Sequence, residues 1–289
     1  MNLPNFLIIG AMKAGTTSLY NYLNQHPQIY MSSIKEPNFF SYKGNKQQPI
    51  TTKEQYNSLF AQVKDEIAIG EASTTYLSSR NAPEQIYQML PNVKLIAILR
   101  DPAERAYSQY LMHYRSNSSV LDEQELLNHF SQTIAEKRPG ILGGGRYYNC
   151  LRRYLSIFDP QQFKICFFDD LKNKPAPLLE DIFAFLGVEK DFVISQTSKA
   201  YNSGGIPTNK GLHSYLDESK KRFNRTIKPL LPKTLLDPLY QAYVNFRNGS
   251  LVKAPPLPEA IRQEVIEIYR PDIMALQELV QRDLSAWLQ

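Results

Sequence analysis

The chain has 289 residues, 43% of them hydrophobic and 21% charged, with 33 Lys and Arg against 28 Asp and Glu for a formal net charge of +5. A globular chain of this length buries roughly three quarters of its unfolded surface. It needs no covalent staples, and its two cysteines, Cys150 and Cys166, stand in neither a CxxC nor a Cys/His cluster. A disulfide framework and structural zinc are thereby excluded, and a reducing compartment is expected. A surplus of five positive charges is too mild to imply a nucleic-acid partner.

Residues 6–9, Phe-Leu-Ile-Ile, form the longest apolar stretch near the start, with no basic segment before them. That is too short for a secretory core or a membrane span, so the expectation is a cytoplasmic protein without an integral membrane segment. Further β-branched apolar runs follow at 67–69, 94–99 and 163–168. They are continuous rather than alternating, as in strands of a parallel sheet buried on both faces. Helical periodicity fills the intervals. Residues 16–24 read as a helix closed by Pro27, and 176–186 as one stopped by Gly187. Asp101-Pro102-Ala103-Glu104 supplies an N-cap acid, a proline at the first position and a Glu at the third, predicting a helix to about Tyr114. Beyond about residue 211 the pattern is helical, broken by Pro229, Pro232, Pro238 and the proline-rich 254–258, and ends in a segment over 259–288. The expectation is a single domain over 1–289. Its class is α/β, a three-layer P-loop-like fold with a central parallel sheet and a helical C-terminal layer.

In open parallel sheets ligands bind beyond the carboxyl ends of the strands. Those positions are 10–17, 71–75, 100–101 and 169–170. The first, Gly10-Ala11-Met12-Lys13-Ala14-Gly15-Thr16-Thr17, follows a strand and opens a helix, the setting of a phosphate-binding loop. Its glycines fit the spacing GxxxxGK[ST], but Thr16 occupies the position of the nucleotide-triphosphatase lysine. The lysine lies inside the loop, at Lys13, which suits one phosphate carrying a leaving group and requires no metal. Taken alone, the loop equally suits a tight turn with no ligand. Gly143-Gly144-Gly145 follows no strand and reads as a flexible turn, and His26, His113 and His129 have no metal spacing. Tyr107, Tyr110 and Tyr114, at helical spacing, are expected in the core, and Trp287 is expected to cap the helical layer.

Residues 6–19, followed by Lys35-Glu36-Pro37-Asn38-Phe39-Phe40, resemble the opening of the sulfotransferases that use 3'-phosphoadenosine 5'-phosphosulfate (PAPS). The resemblance is to the branch containing heparan sulfate sulfotransferase domains and stand-alone bacterial relatives. Residues 95–108, 145–168, 209–211 and 269–287 extend it over nearly the whole chain. It implies a PAPS site without metal. Lys13, Ala14, Gly15, Thr16 and Thr17 would hold the 5'-phosphosulfate, with Lys13 on the oxygen of the leaving phosphate. Arg100 and Ser108, two helical turns apart, would bind the 3'-phosphate. Asn209, Lys210 and Gly211, after the flexible Gly204-Gly205, would form a lid over it, with His213 near the substrate. Glu36 matches the general base, and Pro37 is expected to hold it in extended geometry. Glu71 would position acceptor or backbone.

Each residue also has a plainer reading: Glu36 paired with Lys35, Arg100 paired with Asp101, and Ser108 on a solvated helix face. Ala72 and Thr17 stand where many glycan-sulfating relatives carry lysine and arginine, which weakens an assignment to glycosaminoglycans. The implied reaction moves a sulfuryl group to a hydroxyl, less readily an amine, of a saccharide, lipid, polyketide or small alcohol. The alternatives are a nucleotide kinase, which needs the displaced lysine and a magnesium carboxylate, and a non-catalytic polyanion-binding protein. Residues 199–233 hold eight Lys and Arg against Asp217 and Glu218, so the positive surplus is one segment beginning at the expected lid. It points to an anionic small molecule rather than nucleic acid.

Overall fold

A computed structural model of the protein describes residues 2–41, 50–117, 123–194, 206–207 and 251–289. They fall into two compact units. The first comprises Met1–Ala106, Lys137–Asn202 and Glu259–Gln289, the second Tyr107–Glu136 and Ser203–Pro258.

The first unit is built on five strands: β1 (Phe6–Gly10), β2 (Ile29–Met31), β3 (Ala68–Ala72), β4 (Lys94–Leu99) and β5 (Phe163–Phe167). They are parallel throughout, in the order β2-β3-β1-β4-β5. Phe6, Leu7, Ile8 and Ile9, like Leu95 to Leu99, are fully buried, as the continuous apolar runs require of strands covered on both faces. Each large apolar side chain so buried contributes about 1.5–3 kcal/mol. Among the described residues of both units the helices are α1 (Thr16–Leu23), α2 (Lys53–Ser58), α3 (Ala82–Met89), α4 (Pro102–Asn117), α5 (Glu123–Ala135), α6 (Pro139–Leu142), α7 (Tyr147–Leu155), α8 (Phe168–Asn173), α9 (Pro175–Leu186) and α10 (Glu259–Val280). Among the described residues no helix is long and apolar enough to cross a membrane.

The chain leaves β1 in one direction, through α1 to β2, and leaves β4 in the other, toward β5. Right-handed crossovers then put α1 on one face of the sheet and α3 and α7 on the other. β1 and β4 are neighbours, so the crevice where connections diverge opens between their carboxyl ends. It lies between the loop containing Lys13 and the strand end at Arg100.

The second unit holds α4 from Tyr107 onward, α5 and a two-stranded antiparallel ladder of Ile206–Pro207 (β6) and Leu251–Val252 (β7). Tyr107 and Tyr110 pack on Phe130, and Tyr107 donates to the Pro255 carbonyl at 3.0 Å. The tyrosines expected in the core, including Tyr114, are buried. So is Trp287, set between Tyr147 and Phe167 of the first unit.

Three expectations need correction. The sheet has a fifth strand, β2, whose three residues are too few for a sequence pattern. Ile67 is half exposed and precedes β3, which runs on to Ala72, so Glu71 lies within the strand rather than past its end. Gly143–Gly145 is a turn of 3-10 helix rather than a flexible turn, because Gly145 is packed beneath the ring of Tyr269, whose hydroxyl donates to the Leu142 carbonyl at 2.7 Å.

Candidate active site

The loop after β1 is held at both ends. The Ala11 amide donates to the Ile98 carbonyl of β4 at 2.8 Å, and the chain turns into α1 through Gly15 at φ 91°. A Cβ at Gly15 would come within 2.7 Å of the Phe168 ring, and one at Gly10 within 2.8 Å of Leu77, so only glycine fits either place without displacement. Lys13, also in the left-handed region at φ 69°, is half-buried, and Thr16 is buried. No side chain caps α1: its N-cap is glycine. By contrast α2 has a capping box from Thr52 and Gln55, and Asp101 accepts from the Ala103 and Glu104 amides at 2.9 and 3.0 Å at the start of α4. A helix start with a small-residue loop and no side-chain cap is shaped for an anion.

Arg100 leaves β4 beside this loop. One guanidinium nitrogen donates to the Lys13 carbonyl at 3.3 Å, another pairs with Glu104 at 3.1 Å, and the group lies 5.0 Å over the Phe168 ring. The expected alternative partner, Asp101, is taken by the helix start and by Arg262 at 2.6 Å. Thus Phe168 backs both the loop glycine and the arginine. Ser108 is half-exposed on the part of α4 that belongs to the second unit. Asn209, Lys210, Gly211, His213 and the basic segment beyond residue 207 lie outside the described residues.

On the other side of β1, residues 35–41 are stitched to the end of β3 and the turn after it. The Glu36 amide donates to the Ala72 carbonyl at 2.9 Å. The Glu36 carboxylate accepts from the Thr74 amide at 2.8 Å, from the Thr74 hydroxyl at 3.1 Å and from the Lys35 ammonium at 2.7 Å. A carboxylate has about four lone-pair sites, so three donors leave capacity for another proton. The side chain remains 32% exposed. The ion pair with Lys35 and the fixed, partly open carboxylate therefore coexist.

Glu36 is not extended. Its φ is 62°, and Asn38 follows at φ 55°. Pro37 disfavours the right-handed region for the residue before it, but the bonds to Ala72 and Thr74 decide which other region is taken. Left-handed backbone costs roughly 1–2 kcal/mol per residue, so the turn needs external anchors. Asn38 supplies several: its side-chain amide donates to the Glu36 carbonyl at 2.9 Å, its oxygen accepts from the Thr75 hydroxyl at 2.6 Å, and its backbone amide donates to Ser73 Oγ at 2.9 Å.

Beneath this turn Glu71 is fully buried. It accepts from Ser73 Oγ at 2.8 Å and from the Tyr56 hydroxyl at 3.4 Å, with Tyr76 as a further partner. Burial pushes its carboxyl up to about 7 despite those donors, and the nearby Glu36 charge adds to the rise.

The sheet brings Lys13, Arg100, Glu36 and Glu71 to neighbouring strand ends of one unit. The two sides of β1 touch: the Ser73 and Leu77 amides donate to the Ile8 and Ile9 carbonyls at 3.0 and 2.8 Å, and Gly10 packs on the Thr74 carbonyl. Sequence reasoning missed Asn38, Ser73, Thr74 and Phe168. Asn38 alone carried a signal, as a residue type that tolerates left-handed backbone.

Comparison with known proteins supplies the family. Residues 3–228 match the family of sulfotransferase domains. The bifunctional heparan sulfate N-deacetylase/N-sulfotransferase 1 of Caenorhabditis elegans is 27% identical over 304 residues, covering 100% of this chain and 31% of that protein. Human carbohydrate sulfotransferase 15 is 29% identical over 268 residues, 70% of this chain and 47% of its own length. The chain thus spans less than half the length of these relatives. The crystal structure of a sulfotransferase from Alicyclobacillus acidocaldarius superposes with a TM-score of 0.70 at 28% identity, covering 100% of both chains. With a loop and helix start that lack a side-chain cap at the divergence of the sheet, and a match running from before β1 to well past β5, the chain belongs to the sulfotransferase family.

Proposed function

We propose that the protein moves a sulfuryl group from PAPS to an acceptor hydroxyl by in-line displacement, with Glu36 as general base, and releases adenosine 3',5'-bisphosphate. The observation that carries this reading is the Glu36 carboxylate, aimed by Thr74 and partly open, tied to the end of β3 beside the loop after β1, whose glycines leave no room for a Cβ. PAPS supplies the activated sulfuryl group. Residues 13–17 would hold its 5'-phosphosulfate, and Arg100, with Ser108 and the 209–211 segment, its 3'-phosphate. Lys13 is assigned to the leaving oxygen, where charge grows as the bond to sulfur breaks. Glu36 accepts the acceptor hydroxyl's proton as the new bond forms, because an un-ionised alcohol is a weak nucleophile at neutral pH.

For the acceptor we propose a hydroxyl-bearing saccharide first, since the relatives named above act on heparan sulfate and carbohydrate, with lipid, polyketide and small alcohols as the other classes to screen. Buried thiols at Cys150 and Cys166 suit a reducing, cytoplasmic setting.

Radiolabelled PAPS offered with desulfated oligosaccharides, fatty alcohols and phenols tests the reaction. Glu36→Gln is expected to keep binding of the bisphosphate, read as an unchanged thermal shift, while turnover falls about 100-fold or more, the usual scale of a lost general base. Full turnover in that variant would remove Glu36 from the mechanism.

A further inference from the structure

Glu71 is a fully buried carboxylate that no step of the proposed reaction uses. Its surroundings say what it is for. Ser73 Oγ accepts from the Asn38 amide at 2.9 Å, so its single proton is directed to Glu71 Oε2, 2.8 Å away. A chain of donation therefore runs from the 36–38 turn, through Ser73, into a buried charge. Asn38 in turn donates to the Glu36 carbonyl at 2.9 Å. The turn has two consecutive non-glycine, non-proline residues at positive φ, Glu36 and Asn38, separated only by Pro37.

We propose that Glu71 is a positioning residue for Glu36: as a carboxylate it terminates the hydrogen-bond chain that holds the left-handed 36–38 turn, and on protonation it loosens that hold. The proposal rests on the reading of Glu36 as the base. Charge-assisted hydrogen bonds are roughly twice as strong as neutral ones, so the anchor weakens when the charge is lost. The titratable groups facing Glu71 are Tyr56 from α2, Tyr76 from the segment after β3, Tyr154 from α7 and Glu36 itself, whose carboxylate is paired with Lys35. Burial holds all three phenols above the ordinary tyrosine range, so they stay neutral donors at physiological pH. Glu71 itself, pushed up chiefly by burial, stands at about 7 and so changes charge near neutrality. The enzyme would carry a pH-dependent brake beneath its base.

Two measurements on the full chain test this, one of them independent of any acceptor. In an NMR titration of isotope-labelled protein, the Glu71 carboxyl should give a step near pH 7 and the Asn38 amide should follow it, with both responses absent in Glu71→Gln. An Asn38 amide that is flat while Glu71 titrates, or a Glu71 that stays in one charge state across that range, overturns the proposal. With the best acceptor of the screen, kcat of the wild type should be about tenfold lower at about pH 6 than at about pH 8, and Glu71→Gln and Ser73→Ala should each flatten that limb. A purely structural Glu71 would lower kcat equally at every pH. If Glu36→Gln retains turnover, the base reading fails on its own, while the Glu71–Asn38 linkage is still decided by the titration.

Discussion

Arg100 does two things with one side chain. It holds the Lys13 carbonyl and lies on Phe168, and its remaining hydrogen-bonding edge faces Glu104. A hydrogen bond to a charged group is worth about 1.5–3 kcal/mol, so Arg100→Ala is expected to weaken the 3',5'-bisphosphate by about ten- to a hundredfold. Adenosine 5'-phosphosulfate, which lacks the 3'-phosphate, should lose much less. Calorimetric titration of both ligands separates the roles: equal losses would mean that Arg100 supports the Lys13 loop and that the 3'-phosphate is bound elsewhere.

Glu71 shows that a site can be unfavourable for the fold. Its carboxyl is raised from 4.5 to about 7 by burial, so between those values the native state keeps a proton that the unfolded chain has released. Stability is therefore full below the lower value and falls as pH rises through the window, by about 3 kcal/mol in all. Glu71→Gln should raise the melting temperature at about pH 8 and leave it nearly unchanged at about pH 5. Equal shifts at both pH values would show that the carboxyl does not titrate in this window. A carboxylate kept at such a cost points to a functional rather than a structural reason for its presence.

At the scale of elements, the helix starts sort by what completes them. α2 and α4 are capped from their own chain, by Thr52 and Asp101. α1 has no side-chain cap and follows directly from the loop that carries Lys13. α7 is capped from a distance: Asp272 of α10 accepts from the Tyr148 and Asn149 amides at 2.9 and 3.2 Å and from the Asn149 side chain at 2.8 Å. Burial pushes the Asp272 carboxyl up while these bonds oppose it. Asp272→Ala strands two amides at a part-buried helix start and should cost about 1–2 kcal/mol. Urea unfolding would show it, with Asp272→Asn intermediate; a variant as stable as wild type would mean that water replaces the cap.

The same distinction explains which elements were legible in the sequence. The start of α4 could be read because proline, aspartate and glutamate lie within four residues of one another, and the end of α9 because Gly187 is a left-handed C-cap at φ 81°. The start of α7 could not, because its capping acid is over a hundred positions away. β2 could not either, since three residues carry no period.

For the molecule as a whole, the rule that chemistry gathers past the strand ends marks positions without saying what each does. Past β4 and β5, Asp101 and Asp170 are partners of the C-terminal segment: Arg262 pairs with Asp101, and Arg282 grips Asp170 through both nitrogens while lying 4.1 Å over Phe167. That pairing holds the Asp170 carboxyl below the usual range. Past β1, and within and after β3, the corresponding positions line the candidate site. An aspartate after a strand reads the same in both cases, and only its distant partner distinguishes an anchor from a ligand contact.

The surplus of +5 follows the same division. Sequence alone determined its sign, its concentration in residues 199–233, the parallel sheet and the glycine-bearing strand-to-helix loop with lysine inside it, because these depend on residue types at fixed local spacing. Tertiary structure decided that Glu36 takes a left-handed backbone despite Pro37, that Arg100 braces the Lys13 loop, and that a buried carboxylate lies beneath Glu36. Those depend on hydrogen bonds between segments tens of residues apart, such as Glu36 with Thr74 and Arg100 with Lys13, which local pattern does not encode.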